Sequence, residues 1–418
     1  MVFAFALTIR VNAQKEDKGV NFEERMSWND IKRKAKEENK YIFVDAFATW
    51  CGPCKAMEAE IFPQPSVGEI INANFVSVAV QMDRTEKDDE SVRTWYDDAK
   101  AISKESNITA YPTLLFYSPD GKLVHKVIGF KDANALIAEA KDAMDSSKQY
   151  FVKLENYKKG RLQANAVRDL AIQAKQMGDF DIADKIAQYY IQKLTRKEIY
   201  AKPNLEFISK FITGSKDKNF AIFLKNGNKV NKIAGKNFAE NVVMSVAAKE
   251  EIKPYDEEEN PDWKTIENRM IAKYGTLGEE RVWGHMMVYY LLKQDWSNFG
   301  NFFNKYFERA IPNERSFVNI NSMSWQVFLN LSDTAVLQLA IKAMEYQMKR
   351  SDIKSPNEID TYANLLYKTG NTAEAIEWEE KAIKLSNGEQ EFVETLNKMK
   401  RGEATWPVAA DSEKRAGQ

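Results

Sequence analysis

The spacing of apolar positions changes character near residue 148. Before it, short apolar runs alternate with amphipathic stretches; after it, helical spacing dominates. Ser27 followed by Asp30 marks a helix start, and WNDIKRKAKEEN continues it with an apolar residue each turn. YIFVDAFA (41–48) is a continuous apolar run, the signature of a strand covered on both faces. CKAMEAEIF predicts a second helix that stops at Pro63. SVGEIINAN predicts a short helix, FVSVAVQMD (75–83) a second buried strand, and DESVRTWYDDAKAISKES one helix. PTLLFYSPDGKLVHKVIGF predicts a hairpin turning at Pro119-Asp120-Gly121, and DANALIAEAKDAMDSS a closing helix capped by Asp132. This order of elements is that of an α/β layer.

Four segments follow: a leader at 1–13, an α/β domain at 20–149, a helical domain at 150–400, and a polar tail at 401–418. The helical part repeats itself weakly. Residues 170–194 can be laid over 362–385, so that Ala171 falls on Ala363, Gly178 on Gly370, Ala183 on Ala375 and Ile191 on Ile383. Small residues there let paired helices approach closely, and the Gly-Asp or Gly-Asn step makes the turn. The second copy resembles a tetratricopeptide repeat, and 290–307 reads as a third, degenerate unit.

Charge narrows the function classes. With 60 basic and 61 acidic residues the chain lacks the basic excess of a nucleic-acid binder. No apolar run approaches the roughly 18 residues of a membrane helix. VFAFALTI followed by Val11 and Ala13 reads as the end of a secretory signal peptide cut after Ala13, which implies a periplasmic or otherwise exported protein.

Export sharpens the meaning of the cysteines. The chain has two, Cys51 and Cys54, both in FATWCGPCK. A structural framework would use several spaced pairs, and a bridge across so small a loop contributes roughly 2 kcal/mol or less. The pair therefore points to chemistry. A thiol attacks a disulfide as its thiolate, and Cys51 stands where a strand gives way to a helix, whose free N–H groups favour an anion. Pro53, early in that helix, lacks an N–H that would be unpaired anyway. Gly52 lets a partner chain come close, and Cys54, one turn further in, is placed to attack the mixed disulfide. Asp45, inside the apolar run, is costly to ionise, so its pKa should rise and it could take the proton of Cys54. A purely structural Asp45, bonded to backbone, is the plainer alternative.

The string Trp50-Cys51-Gly52-Pro53-Cys54-Lys55, with Asp45 upstream and Tyr111-Pro112-Thr113 and Gly129 downstream, resembles the thioredoxin family over about residues 25–148. The resemblance implies a thioredoxin fold, Cys51 as nucleophile, Cys54 as resolving cysteine, Asp45 as proton acceptor and Pro112 as a cis-proline shaping the substrate groove. It also implies substrate contacts from Trp50, Gly52, Pro53, Tyr111, Thr113 and Gly129. The redox group would be the Cys51–Cys54 disulfide itself, with no other cofactor. Three departures stand out: Ala79 occupies the place of the strand lysine that pairs with the buried Asp, Ala59 that of a helix proline, and the chain between Asp83 and Pro112 is longer and acidic.

Other chemistries find little support. Zinc needs four ligands, and the remaining candidates are His125, a surface or packing residue, and His285, a core histidine. DEEEN reads as a solvated loop. The sequence thus implies an exported thiol–disulfide oxidoreductase acting on protein disulfides, with a membrane thiol carrier as electron donor. The alternative is a partner-binding helical protein whose CxxC acts as a sensor or tether.

Overall fold

The computed structural model describes residues 19–255, 258–350 and 355–407. The leader expected at 1–13 and residues 408–418 of the tail lie outside them. The chain divides into two compact units, Met1–Ile199 and Tyr200–Gln418.

The first unit is built on four strands: β1 (Tyr41–Phe47), β2 (Phe75–Gln81), β3 (Thr113–Tyr117) and β4 (Leu123–Ile128). Their order in the sheet is β2-β1-β3-β4, with β1–β2 parallel and the other two pairs antiparallel. The helices of this unit are α1 (Trp28–Glu38), α2 (Gly52–Ala56), α3 (Pro65–Asn74), α4 (Glu90–Arg93), α5 (Tyr96–Ser106), α6 (Ala133–Met144), α7 (Tyr150–Lys158), α8 (Ala164–Gln176), α9 (Phe180–Lys193) and α10 (Arg196–Ile199). Successive β1 side chains enter two cores, as an apolar run must when both faces are covered. Ile42 and Val44 pack with Trp28, Ile31, Ala99 and Ile102; Phe43 packs with Met57, Ile61, Ile71 and Leu136. Ser27 and Asp30 form the expected capping box on α1, and Asp132 caps α6.

Two expected helices are altered. The helix after the cysteines widens at Met57–Ile61 into a π turn closed by Phe62 N–H to Met57 O at 2.9 Å. The wider turn keeps residues four and five positions on over the same face, so Met57, Ile61 and Phe62 all reach one core. The single helix expected over 89–106 breaks at Thr94-Trp95, where Trp95 turns in beside Trp28 at 6.3 Å. The acidic run before it is ordered by Asp88, which accepts from Thr85, Gln81 and the Tyr96 hydroxyl.

The first unit continues well past the expected domain end at 149 because α7–α9 share a buried polar knot with the sheet. Lys126 on β4 is 0% exposed and donates to Asp179 Oδ1 at 2.8 Å and Ser106 O at 2.9 Å. The Tyr150 hydroxyl donates to Asp179 Oδ2 at 2.6 Å, and Asn107 Nδ2 donates to Oδ1 at 2.8 Å. Gly178, at φ 72°, makes the α8–α9 turn; a Cβ there would stand 2.5 Å from Thr109 Oγ1.

Among its described residues, the second unit is helical throughout. Its helix pairs include Trp263–Leu292, which is broken by a kink at Gly275 (φ 61°), with Trp296–Ala310, and Pro356–Lys368 with Thr372–Leu385. The latter pair turns at Gly370, φ 92°, and buries Ala363 and Ala375, just as α8–α9 bury Ala171 and Ala183. The stretch from 401 is not wholly a free polar tail: the Trp406 ring packs near Phe328 and Tyr367, at 6.3 and 6.0 Å. An indole so placed buries apolar area that a solvated tail would leave in water.

Candidate active site at the start of a helix

Strand β1 delivers the chain to the cysteines through a short, pinned turn. Thr49 N–H donates to Asp83 Oδ1 at 3.0 Å, its hydroxyl donates to Asp83 Oδ2, and Cys51 N–H donates to Ala48 O at 3.0 Å. Cys51 is the N-cap of α2, with extended backbone, and its Sγ accepts from Cys54 N–H at 3.1 Å. That is the environment in which a sulfur anion is favoured, since unpaired amides and the helix dipole converge on it. Cys51 and Cys54 are joined as a disulfide with an S–S distance of 2.06 Å.

A nucleophile must be reached by its substrate disulfide, yet in the bridged form Cys51 is only 3% exposed. Cys51 and Cys54 cluster with buried Ala48, and Phe47 and Tyr111 pack against the group. The exposed feature is Trp50, at 71%, whose ring meets that of Tyr111 edge-on at 5.8 Å. Gly52 and Pro53 are exposed, and a Cβ on Gly52 would touch nothing within 4 Å.

The downstream motif comes to the same place. The Tyr111–Pro112 peptide bond is cis. Gly129, at φ 83°, donates its N–H to Pro112 O at 2.8 Å, tying the end of β4 to this loop. Thr113 is buried, its hydroxyl donating to Ala110 O at 2.7 Å, so its side chain braces the loop from within.

Asp45 lies on β1 opposite Ala79 of β2, is 6% exposed, and has no hydrogen-bond partner for Oδ1. Burial, with the charge of Glu58 adding to it, pushes its carboxyl up to about 7. Asp45 and Cys54 both line a groove of about 940 Å³ bounded by Phe22–Asp30, the β1–β2 surface and the segment from Asp89 to Asp98.

Residues 28–144 match the family described as thioredoxin-like domain. A thioredoxin of Mycoplasmoides gallisepticum is 37% identical over 98 residues, covering 23% of this chain and 79% of that protein. The chain belongs to the thioredoxin family. The thiol:disulfide interchange protein DsbD of Pseudoalteromonas atlantica is 28% identical over 145 residues, which is 34% of this chain and 23% of that protein's length. Spinach chloroplast thioredoxin f, a solved structure, is 22% identical, covering 31% of this chain and 96% of that one, with a TM-score of 0.22.

Within this thioredoxin-family domain, sequence reasoning located Cys51, Cys54 and Asp45 but missed their supports. Asp83, which holds the turn before Cys51, follows a strand and reads as a loop carboxylate. Glu58 reads as a solvated helix charge, yet it acts on Asp45. Asp179 reads as a turn residue, and only its partners Lys126 and Asn107 reveal that it braces the approach to Pro112.

Proposed function

We propose that this chain is an exported thiol:disulfide oxidoreductase that reduces or isomerises disulfides of extracytoplasmic proteins. The observation that carries this reading is the Cys51–Cys54 disulfide capping α2, with the unpartnered carboxyl of Asp45 in the same groove as Cys54. In the reduced protein the Cys51 thiolate attacks one sulfur of a substrate disulfide. That S–S bond breaks, its electron pair leaves on the other substrate sulfur, and Cys51 is held in a mixed disulfide. Cys54 passes its proton to Asp45 and attacks Cys51 Sγ, which re-forms the internal bridge and releases the second substrate sulfur as a thiolate. Two electrons pass to the substrate, so each net reduction requires a dithiol donor, here a membrane thiol carrier. Isomerisation needs no donor, because another thiol of the same substrate resolves the mixed disulfide.

Trp50, Tyr111 and the cis Pro112 loop form the surface beside the sulfurs where the substrate chain would lie. The apolar leader pattern at 1–13 supports export, and Gly52-Pro53 resembles reducing members of the family. A second role rests on the helix pairs turning at Gly178 and Gly370, which we read as tetratricopeptide-like units able to hold a protein partner.

Cys54→Ser in the full chain is expected to accumulate mixed disulfides on Cys51 in extracytoplasmic extracts. The native protein is expected to reduce insulin with a dithiol donor, and Cys51→Ser to abolish that turnover. Partner capture that survives loss of both sulfurs, with no insulin turnover by the native protein, would replace this reading with a binding role.

A further inference from the structure

The groove that reaches Asp45 and Cys54 is strongly one-sided in charge although the whole chain is near neutral. Carboxylates dominate its lining, and among the described residues the lining cations are Arg25 and Lys55. Two of the carboxylates are already matched: Glu23 pairs with Lys34 at 2.6 Å and Asp30 with Arg33 at 2.6 Å. Glu24, Glu58, Glu90 and Asp98 enter no ion pair among the described residues. At the inner end stands Asp45, buried, its Oδ1 sealed from solvent and without a hydrogen-bond partner.

The occupant is not a small metal ion. Among the described residues no three acidic or His/Cys side chains come together as ligands would; the carboxylates are spread along the N-terminal segment, the cysteine helix and α4–α5. Between them lie Phe47, Val78 and Trp95. Apolar floor with dispersed negative charge suits lysine or arginine side chains, whose aliphatic stems pack while their heads seek carboxylates. The volume lies at the upper end for a ligand pocket, room for a stretch of chain rather than a single ion.

We propose that this groove seats a lysine- or arginine-bearing stretch of the polypeptide whose disulfide is exchanged, its stems on the apolar floor and its cationic heads pairing with Glu24, Glu58 and Asp98. Basic substrates are thereby preferred over acidic ones, and their arrival is accelerated by the field of the groove. Only the identity of the occupant as a substrate rests on the disulfide-exchange reading; the cation preference of the groove does not.

The test separates the two. A labelled, disulfide-free lysine/alanine peptide is titrated into the full oxidised chain by fluorescence anisotropy, beside a glutamate/alanine counterpart. The basic peptide is expected to bind at least about tenfold tighter at low salt, with the difference shrinking as salt rises. Glu24→Gln/Asp98→Asn, and independently Glu58→Gln, are expected to weaken it several-fold. Equal binding of the two peptides, or binding indifferent to both variants, overturns the groove proposal whatever the activity. Matched disulfide peptides flanked by lysine or by glutamate then give kcat/KM. Preference for the basic one supports the substrate assignment, and equal turnover overturns it. Binding of the basic peptide with no turnover of either leaves the groove standing and overturns the oxidoreductase reading instead.

Discussion

Asp45 is divided between its protonated and ionised forms near neutral pH, because burial holds its carboxyl at about 7 against an ordinary value of 3.8. Only the ionised form can accept the Cys54 proton, so resolution of the mixed disulfide should accelerate as pH rises through about 7. Asp45→Asn is expected to slow that step by roughly tenfold or more and to remove the inflection, as read by quenched-flow trapping of the mixed disulfide between pH 5 and 9. The same carboxyl bears on stability with a definite sign. The folded protein holds this proton more tightly than the unfolded chain, so the contribution is fully present below about pH 4. It is lost as pH rises through about 7. Asp45→Asn should therefore be the more stable protein at pH 8 and lose that advantage toward pH 4, measured by urea unfolding of the two forms. Asp45 could be picked out beforehand because a carboxylate interrupting an apolar run is conspicuous. The 3% exposure of Cys51 could not, because it depends on Tyr111, which arrives from sixty residues away along the chain.

At the scale of elements, the loop carrying Pro112 is held between two supports. Gly129 grips it from β4, and Asp179, on the α8–α9 turn, grips Asn107 and Lys126 behind it. Removing one partner of a buried ion pair leaves the other charge uncompensated, which typically costs about 3–5 kcal/mol. Asp179→Ala is expected to destabilise the first unit by about that amount, read by thermal or urea unfolding, whereas Asp169→Ala on an exposed face of α8 should change little. The strands, the hairpin and the caps on α1 and α6 were legible because each rests on local periodicity or a local hydrogen bond. The break at Thr94-Trp95 was not, since the continuous helical pattern is overridden by Trp95 packing on Trp28. Asp88 was hidden for a related reason: within a charged run nothing marks the one carboxylate that Thr85, Gln81 and Tyr96 will enclose.

At the scale of the molecule, the first compact unit ends at Ile199 and contains the sheet, the cysteines and α7–α9. A chain cut after Ile199 is therefore expected to fold and keep the proposed disulfide exchange. A chain cut after Gln149 loses Tyr150 and Asp179 and strands Lys126 in the core, and should melt far lower or aggregate; circular dichroism and insulin reduction on the two fragments check this. The sequence by itself determined the order of elements, the place of the redox pair at a strand-to-helix junction, and the odd carboxylate beneath it. These are local matters: period, capping and the oddity of a charge among apolar neighbours are all written within a few residues. The tertiary structure alone decided how far Cys51 is covered, where the first unit ends, and that scattered carboxylates of three segments line one groove with Asp45. Burial and electrostatic field are sums over neighbours in space, and those neighbours are distant along the chain.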